Sequence, residues 1–176
     1  MLTRAAILAA FEHLSEELQK LGILGELNLV GGTAMVLAFN ARNSTKDVDA
    51  IFETSAQVRL AAAKVAGQLS LPTDWLNDAA KSFLSTAGDF IPLESIDLPN
   101  LRIQAPTAEY MLAMKVLAAR TGVAGDSSDI AFLIRLLDLH NSETVMQIVQ
   151  RYYDPSRILP RSHFLVDEIL EGMQAR

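Results

Sequence analysis

The chain has no cysteine. Disulfides, thiolate zinc centres and cysteine nucleophiles are therefore excluded, and the composition fits a reducing compartment. It also lacks an excess of positive charge: 15 Lys and Arg stand against 21 Asp and Glu, a net charge of −6. A protein that clamps long stretches of nucleic acid by counterion release is usually basic. A nucleic-acid partner would have to be held on a local basic patch, or only briefly. No apolar run approaches the ~18 residues that a membrane span needs. The opening Met1-Leu2-Thr3-Arg4-Ala5 starts an amphipathic pattern and does not read as a signal peptide. These absences lead to the expectation of a cytoplasmic protein without a membrane partner. There is no internal repeat and no low-complexity tract. The sequon at Asn43-Ser44-Thr45 carries no weight without a secretory signal.

What is present is a chain of 176 residues, half of them hydrophobic and a fifth charged. That is enough for one domain with a core, or for one domain and a helical appendage. Ile7, Leu8, Phe11, Leu14, Leu18 and Leu21 recur at steps of three and four, which predicts a helix over 3–21, ended by Gly22 and Gly25. Glu26 to Val30 is short and apolar, and reads as a strand. A short helix is expected to start at Thr33 and run to 41. Lys46 to Phe52 alternates and reads as a second strand, followed by a helix over 55–69. Asp74 is expected to cap a short helix from Trp75 to Leu84. Phe90–Ile96 and Leu101–Gln104 read as strands joined by a turn at 97–100. The remainder reads as helices at 108–120, 128–139, from Ser142 to about Tyr153, and 162–173, with a loop at Gly122–Asp126. The fold class expected is α+β: a mixed sheet with flanking helices over 1–105, then a helical C-terminal part over 106–176 that leans on it, the whole forming either two parts or a single domain.

The residues most suggestive of chemistry lie between Gly31 and Phe52. Gly31 and Gly32 follow the first strand, where the lack of a Cβ lets backbone approach a ligand. A helix starting at Thr33 would aim its free N–H groups at the same spot, and phosphate oxygens suit that environment. Asp47 and Asp49 lie two residues apart on one strand. Both carboxylates should then face one side, roughly 7 Å apart along the chain. Such a pair repels itself unless a cation lies between, and hard oxygen donors suit Mg2+ or Mn2+ and not zinc. Lys46 and Arg42 lie close in sequence; the planar fork of Arg42 suits a phosphate. A Gly-Gly turn or an Asp-x-Asp pair is commonplace alone. It is their order, with a helix-sized gap between them, that points to a site for a triphosphate and its metal.

Gly31-Gly32-Thr33-Ala34, Arg42 and Thr45-Lys46-Asp47-Val48-Asp49 resemble the signature of the DNA polymerase beta-like nucleotidyltransferase superfamily. Small prokaryotic relatives similar to the AbiEii-type and MenT-type toxins of toxin–antitoxin systems share further features. Asp74-Trp75-Leu76-Asn77-Asp78 resembles a segment of one such family. Ala113-Met114-Lys115-Val116-Leu117-Ala118-Ala119-Arg120, followed by Asp126-Ser127-Ser128-Asp129-Ile130, resembles the group's second motif of a helical lysine and a later aspartate. The likeness spans about residues 27–139. It implies transfer of a nucleoside monophosphate from a nucleoside triphosphate. Asp47 and Asp49 would hold the metal, while Gly31, Gly32 and Thr33 cradle the β- and γ-phosphates. Lys115 would meet a phosphate, and Asp129 would position Lys115 or a substrate group. The acceptor implied is a tRNA 3′ end, a small molecule or a protein side chain, and a cognate antitoxin is the implied partner.

Many members of that superfamily carry a third carboxylate on a later strand. Asp89, Glu94 and Asp97 are the candidates, Glu94 being expected in mid-strand. If none serves, the alternative is a nucleotide-binding or protein-binding module of the same fold without turnover. His13, His140 and His163 show no ligand spacing, and Trp75, Met111, Met114, Tyr152 and Tyr153 read as packing residues.

Overall fold

The computed structural model describes residues 1–52, 55–119 and 124–175. Its fold is α+β, with a five-stranded mixed sheet and seven α-helices among the described residues. A first strand pair joins β1 (Leu2–Thr3) to β3 (Ser44–Thr45). Helix α1 (Arg4–Lys20) is capped by the Thr3 hydroxyl, which accepts the Ala6 N–H at 3.3 Å. Its buried stripe of Ile7, Phe11, Leu14 and Leu18 follows the spacing read from the sequence. Strand β2 (Gly25–Leu29) runs antiparallel to β4 (Val48–Phe52) and parallel to β7 (Leu101–Pro106). Strand β5 (Leu76–Asn77) lies parallel to β4, and β6 (Phe90–Pro92) borders β7, giving the order β5-β4-β2-β7-β6. Helix α1 packs on α3 (Ser55–Leu69). The Ser15 hydroxyl of α1 accepts the Asn100 N–H at 3.1 Å at the mouth of β7.

Alternation separates the two faces of this sheet. Leu27, Leu29, Val48, Ala50, Phe52, Leu76, Leu101 and Ile103 are buried and supply core. The intervening Glu26, Asn28, Asp49, Ile51, Asn77 and Gln104 are half-buried, and Arg102 is exposed. A polar face therefore crosses four strands, and it is the face that carries Asp49.

Several expectations need correction. The helix expected from Trp75 to Leu84 is not formed. Trp75 is buried, its indole N–H donates to the Ala62 carbonyl at 3.0 Å, and its own carbonyl accepts the Val48 N–H at 2.6 Å. Anchoring that ring holds the chain extended, so Leu76 and Asn77 join the sheet and only a 3-10 turn at Ala79–Phe83 follows. The strand expected at 46–52 is divided: β3 ends at Thr45, and β4 starts at Val48 after a bend at Lys46-Asp47. Helix α2 is Gly31–Leu37, two residues earlier than expected, because Gly31 adopts φ +58° and turns the chain directly out of β2. The first hairpin strand is only β6, and Glu94 lies in a turn, not in mid-strand.

Contacts divide the chain into two units, Met1–Ser82 with Phe90–Ala105, and Phe83–Asp89 with Pro106–Arg176. The second unit contains α4 (Ala108–Ala118), α5 (Ala124–Leu136), α6 (Ser142–Tyr152) and α7 (Pro160–Gln174). Within it α4 packs on α5 and α6, and α7 on both of those. Helix α5 already includes Asp126, expected in a loop; Arg120, Gly122 and Val123 lie outside the described residues. The cap of α6 is Asn141, whose side chain accepts the Thr144 N–H at 2.9 Å. Three tyrosines hold the 83–89 segment. Tyr153 donates to the Phe83 carbonyl at 2.5 Å, Tyr152 donates to Asp89 at 2.9 Å, and Tyr110 accepts the Ser85 N–H at 2.9 Å. Burial raises the Tyr153 hydroxyl above the ordinary tyrosine range, so it remains a donor. Among the described residues, no helix is long and apolar enough to cross a membrane.

Candidate functional site

The first unit holds six of the residues singled out in the sequence: Gly31, Gly32, Thr33, Arg42, Asp47 and Asp49. Asp47 and Asp49 are both half-buried and flank Val48, which is fully buried. Alternation along β4 puts Asp49 on the side opposite the core, and Asp47 stands in the bend that leads into the strand. Their backbone is fixed by a single hydroxyl. Thr33 Oγ1 donates to the Asp47 carbonyl at 3.1 Å and accepts the Asp49 N–H at 3.3 Å. Thr33 is itself fully buried, so its side chain acts on the acids' backbone. Val30 N–H donates to the Asp49 carbonyl at 3.0 Å and ties the same residue to the end of β2.

The glycines have a concrete packing reason. A Cβ built on Gly31 would lie 2.7 Å from Asp49 Oδ2, and one on Gly32 would collide with the Thr45 hydroxyl. Gly31 and Gly32 thus bring the start of α2 down onto β3 and β4, with the Asp49 carboxylate against the Gly31 backbone. No side chain caps α2, whose N-cap is Val30. With seven residues, α2 offers the N–H groups of its first turn more than a long macrodipole. At the other end, Arg4 donates to the carbonyls of Val36 and Leu37 at 3.2 and 2.9 Å, capping the helix from α1. Arg42 is half-buried in the stretch between α2 and β3.

The donor set suits a hard divalent cation. Carboxylate oxygens come from two residues, and among the described residues the Asp47 side chain has neither a hydrogen bond nor an ion pair. No group of three or more His, Asp or Glu side chains among the described residues could hold a metal by itself. Magnesium is commonly held by one or two carboxylates and completes its shell with substrate phosphates and water. A two-acid set therefore fits an ion that arrives with a triphosphate, not a closed structural centre. Of the third-carboxylate candidates, Glu94 and Asp97 are exposed. They line a cavity of about 420 Å³ beside β7, with Glu26, Arg102 and Gln104. Asp89 accepts the Tyr152 hydroxyl in the second unit.

The second unit holds the other two candidates. Lys115 Nζ lies 2.7 Å from Asp129 Oδ2, linking α4 to α5, with the side chains 13% and 3% exposed. A pair so shielded holds both charges in one geometry, and loss of either partner leaves the other poorly solvated.

Sequence reasoning did not single out Asn77, which it placed in a helix. Asn77 is the direct neighbour of Asp49 across the β4–β5 pair, and Val48 faces Leu76 in the same register. The alternation of buried Trp75 and Leu76 with polar Asn77 was too short a signal to mark a strand. Nor did it find Arg4, whose partners are more than thirty residues away. His13 lies 3.1 Å from the Gln68 side-chain oxygen, while His140 and His163 are exposed.

No curated protein and no solved structure matches the chain. A family model does, over residues 6–158, a span that includes both acids, the glycine pair, Lys115 and Asp129. The family is described as "Nucleotidyltransferase of unknown function (DUF6036)", and the chain belongs to it.

Proposed function

We propose that this nucleotidyltransferase-family protein transfers a nucleoside monophosphate from a nucleoside triphosphate to an acceptor hydroxyl, using a Mg2+ or Mn2+ ion held by Asp47 and Asp49. The observation that carries the reading is the clamp of Thr33 on both acids' backbones, together with the Asp49 carboxylate lying against Gly31 at the start of α2. When bound, the ion would polarise the phosphoryl oxygens and neutralise the departing pyrophosphate. The chain's own residues supply position and hydrogen bonds. Backbone N–H groups at Gly31 and Gly32 would receive the outer phosphates, with the fully buried Thr33 bracing the turn beneath them, and Arg42 would add a forked cationic donor. The resemblance implies that Lys115 meets a phosphate oxygen and that Asp129 positions Lys115; the 2.7 Å pair within the second unit supports the second of these roles. The acceptor oxygen forms its bond to the α-phosphorus as the bond from that phosphorus to the bridging oxygen breaks. Pyrophosphate leaves, and the acceptor proton passes to solvent.

The tRNA 3′ end is the first acceptor to test, on the resemblance to the AbiEii-type and MenT-type toxins. The same resemblance supports a toxin role and a cognate antitoxin. A second reading, nucleotide binding without turnover, is favoured by the lack of a three-carboxylate group among the described residues and by the exposed positions of Glu94 and Asp97. Incubation with each α-labelled nucleoside triphosphate, Mg2+ and bulk tRNA separates the two. Transfer that is lost in Asp47→Ala and Asp49→Ala supports catalysis. Magnesium-dependent nucleotide binding with no transfer to tRNA, protein or small hydroxyl acceptors supports the second reading.

A further inference from the structure

Asn77 stands beside the acid pair with one half of its side chain already used. The β4–β5 register pairs Asp49 with Asn77 and Val48 with Leu76. Since Val48 and Leu76 are both buried, Asp49 and Asn77 share the opposite, half-buried face. Neighbouring strands put such residues about 4.8 Å apart at their backbones, within reach of a common ligand. The Asn77 oxygen Oδ1 accepts the Ala79 N–H at 3.1 Å, which fixes which end of the amide is which. The amide nitrogen is left as a donor with no partner among the described residues.

The turn after Asn77 is anchored as well. Asp78 accepts Arg59 of α3 at 2.7 Å and Lys81 at 2.5 Å, and these two hydrogen bonds, Lys81 first, lower its carboxyl to a pKa of about 2. Arg59 in turn lies over the Phe52 ring, 5.1 Å from its centre. Asn77 is therefore presented from a braced turn, not from a loose loop.

We infer that Asn77 is a contact residue for the triphosphate, donating its side-chain N–H to a phosphate oxygen beside Asp49. With its oxygen committed to Ala79, it is poorly placed to ligate a cation. What it presents beside Asp49 is a neutral N–H donor, the kind of group a phosphate oxygen accepts from. The inference rests on the nucleotide-binding part of the function proposed above.

The test uses two variants of the full chain. Asn77→Asp keeps an oxygen for the Ala79 N–H but replaces the donor by an acceptor. Asn77→Ala removes both. Binding is titrated in Mg2+ with a non-hydrolysable nucleoside triphosphate, inorganic tripolyphosphate and the parent nucleoside, and melting temperature is recorded alongside. The expected result is a loss of at least about tenfold in affinity for triphosphate and tripolyphosphate in both variants, with nucleoside binding unchanged and Asn77→Asp melting like the wild type. Wild-type affinity for both phosphate ligands in Asn77→Asp, with a lowered melting temperature only in Asn77→Ala, would assign Asn77 to the turn alone and overturn the inference while leaving the function standing. A wild-type protein that binds neither phosphate ligand would overturn both.

Discussion

Gly31 lies so close to Asp49 that a single added carbon would fall 2.7 Å from the carboxylate oxygen. Its φ of +58° also disfavours any side chain. Gly31→Ala therefore faces two penalties at once. It is expected to cost at least about 1 kcal/mol in a urea melt, and also to move Asp49. Magnesium-dependent nucleotide affinity should fall by more than the stability loss alone explains. Equal nucleotide affinity in a folded Gly31→Ala variant would separate Gly31 from the site.

Thr33→Val keeps the shape of the side chain but removes the hydroxyl that joins Asp47 to Asp49. The Asp49 N–H then loses a partner in a buried setting, for an expected cost of about 1–3 kcal/mol. Thr33→Ser should restore most of it. Transfer activity is expected to track the hydroxyl: present in serine, strongly reduced in valine. Activity indifferent to the hydroxyl would remove Thr33 from the account.

Lys115 and Asp129 make a nearly enclosed ion pair, so single and double variants should differ in a characteristic way. Lys115→Met or Asp129→Asn alone is expected to cost about 3–5 kcal/mol. The double variant should cost less than the sum. If Lys115 also meets a phosphate, the double variant will be stable yet inactive. Recovery of both stability and activity would assign the pair to packing alone.

Acid should loosen the first unit through Glu17 and Asp78. Hydrogen bonds from Lys20, then from Gln68, lower Glu17 from 4.5 to about 2. Lys81 and Arg59 lower Asp78 from 3.8 to about 2. Both folded values lie below the unfolded ones. The stabilisation is therefore full above about pH 4.5 and is lost as pH falls toward 2. The melting temperature is expected to drop across that window, and Glu17→Gln should flatten the drop. An identical pH profile in Glu17→Gln would contradict this assignment.

Much of the fold was legible because periodicity survives folding where an element has one buried face. The stripe of α1, the alternation of β4 and the helix over 55–69 all appear where the spacing placed them. What misled was local chemistry overruled at a distance. Asp74 is a good cap, but the Ala62 carbonyl holds the Trp75 indole and keeps that stretch extended. The glycine pair was readable as a close approach. Its partners, Asp49 and Thr45, were not, because the positions lie more than ten residues apart. Thr33 could be placed near the site from sequence. That its hydroxyl serves backbone atoms of Asp47 and Asp49 follows only from how α2 sits on β4. Asn77 was hidden in the stretch read as a helix, since a two-residue strand leaves no period to detect.

Nucleotidyl transfer is tested most directly by which phosphorus reaches the acceptor. Parallel reactions with α-labelled and γ-labelled nucleoside triphosphate, run with Mg2+ and tRNA, should leave the α label on the acceptor and release the γ label in pyrophosphate. Both signals should vanish in Asp47→Asn and in Asp49→Asn. Transfer of the γ label, or α-label transfer that persists without both carboxylates, would contradict the assignment of Asp47 and Asp49.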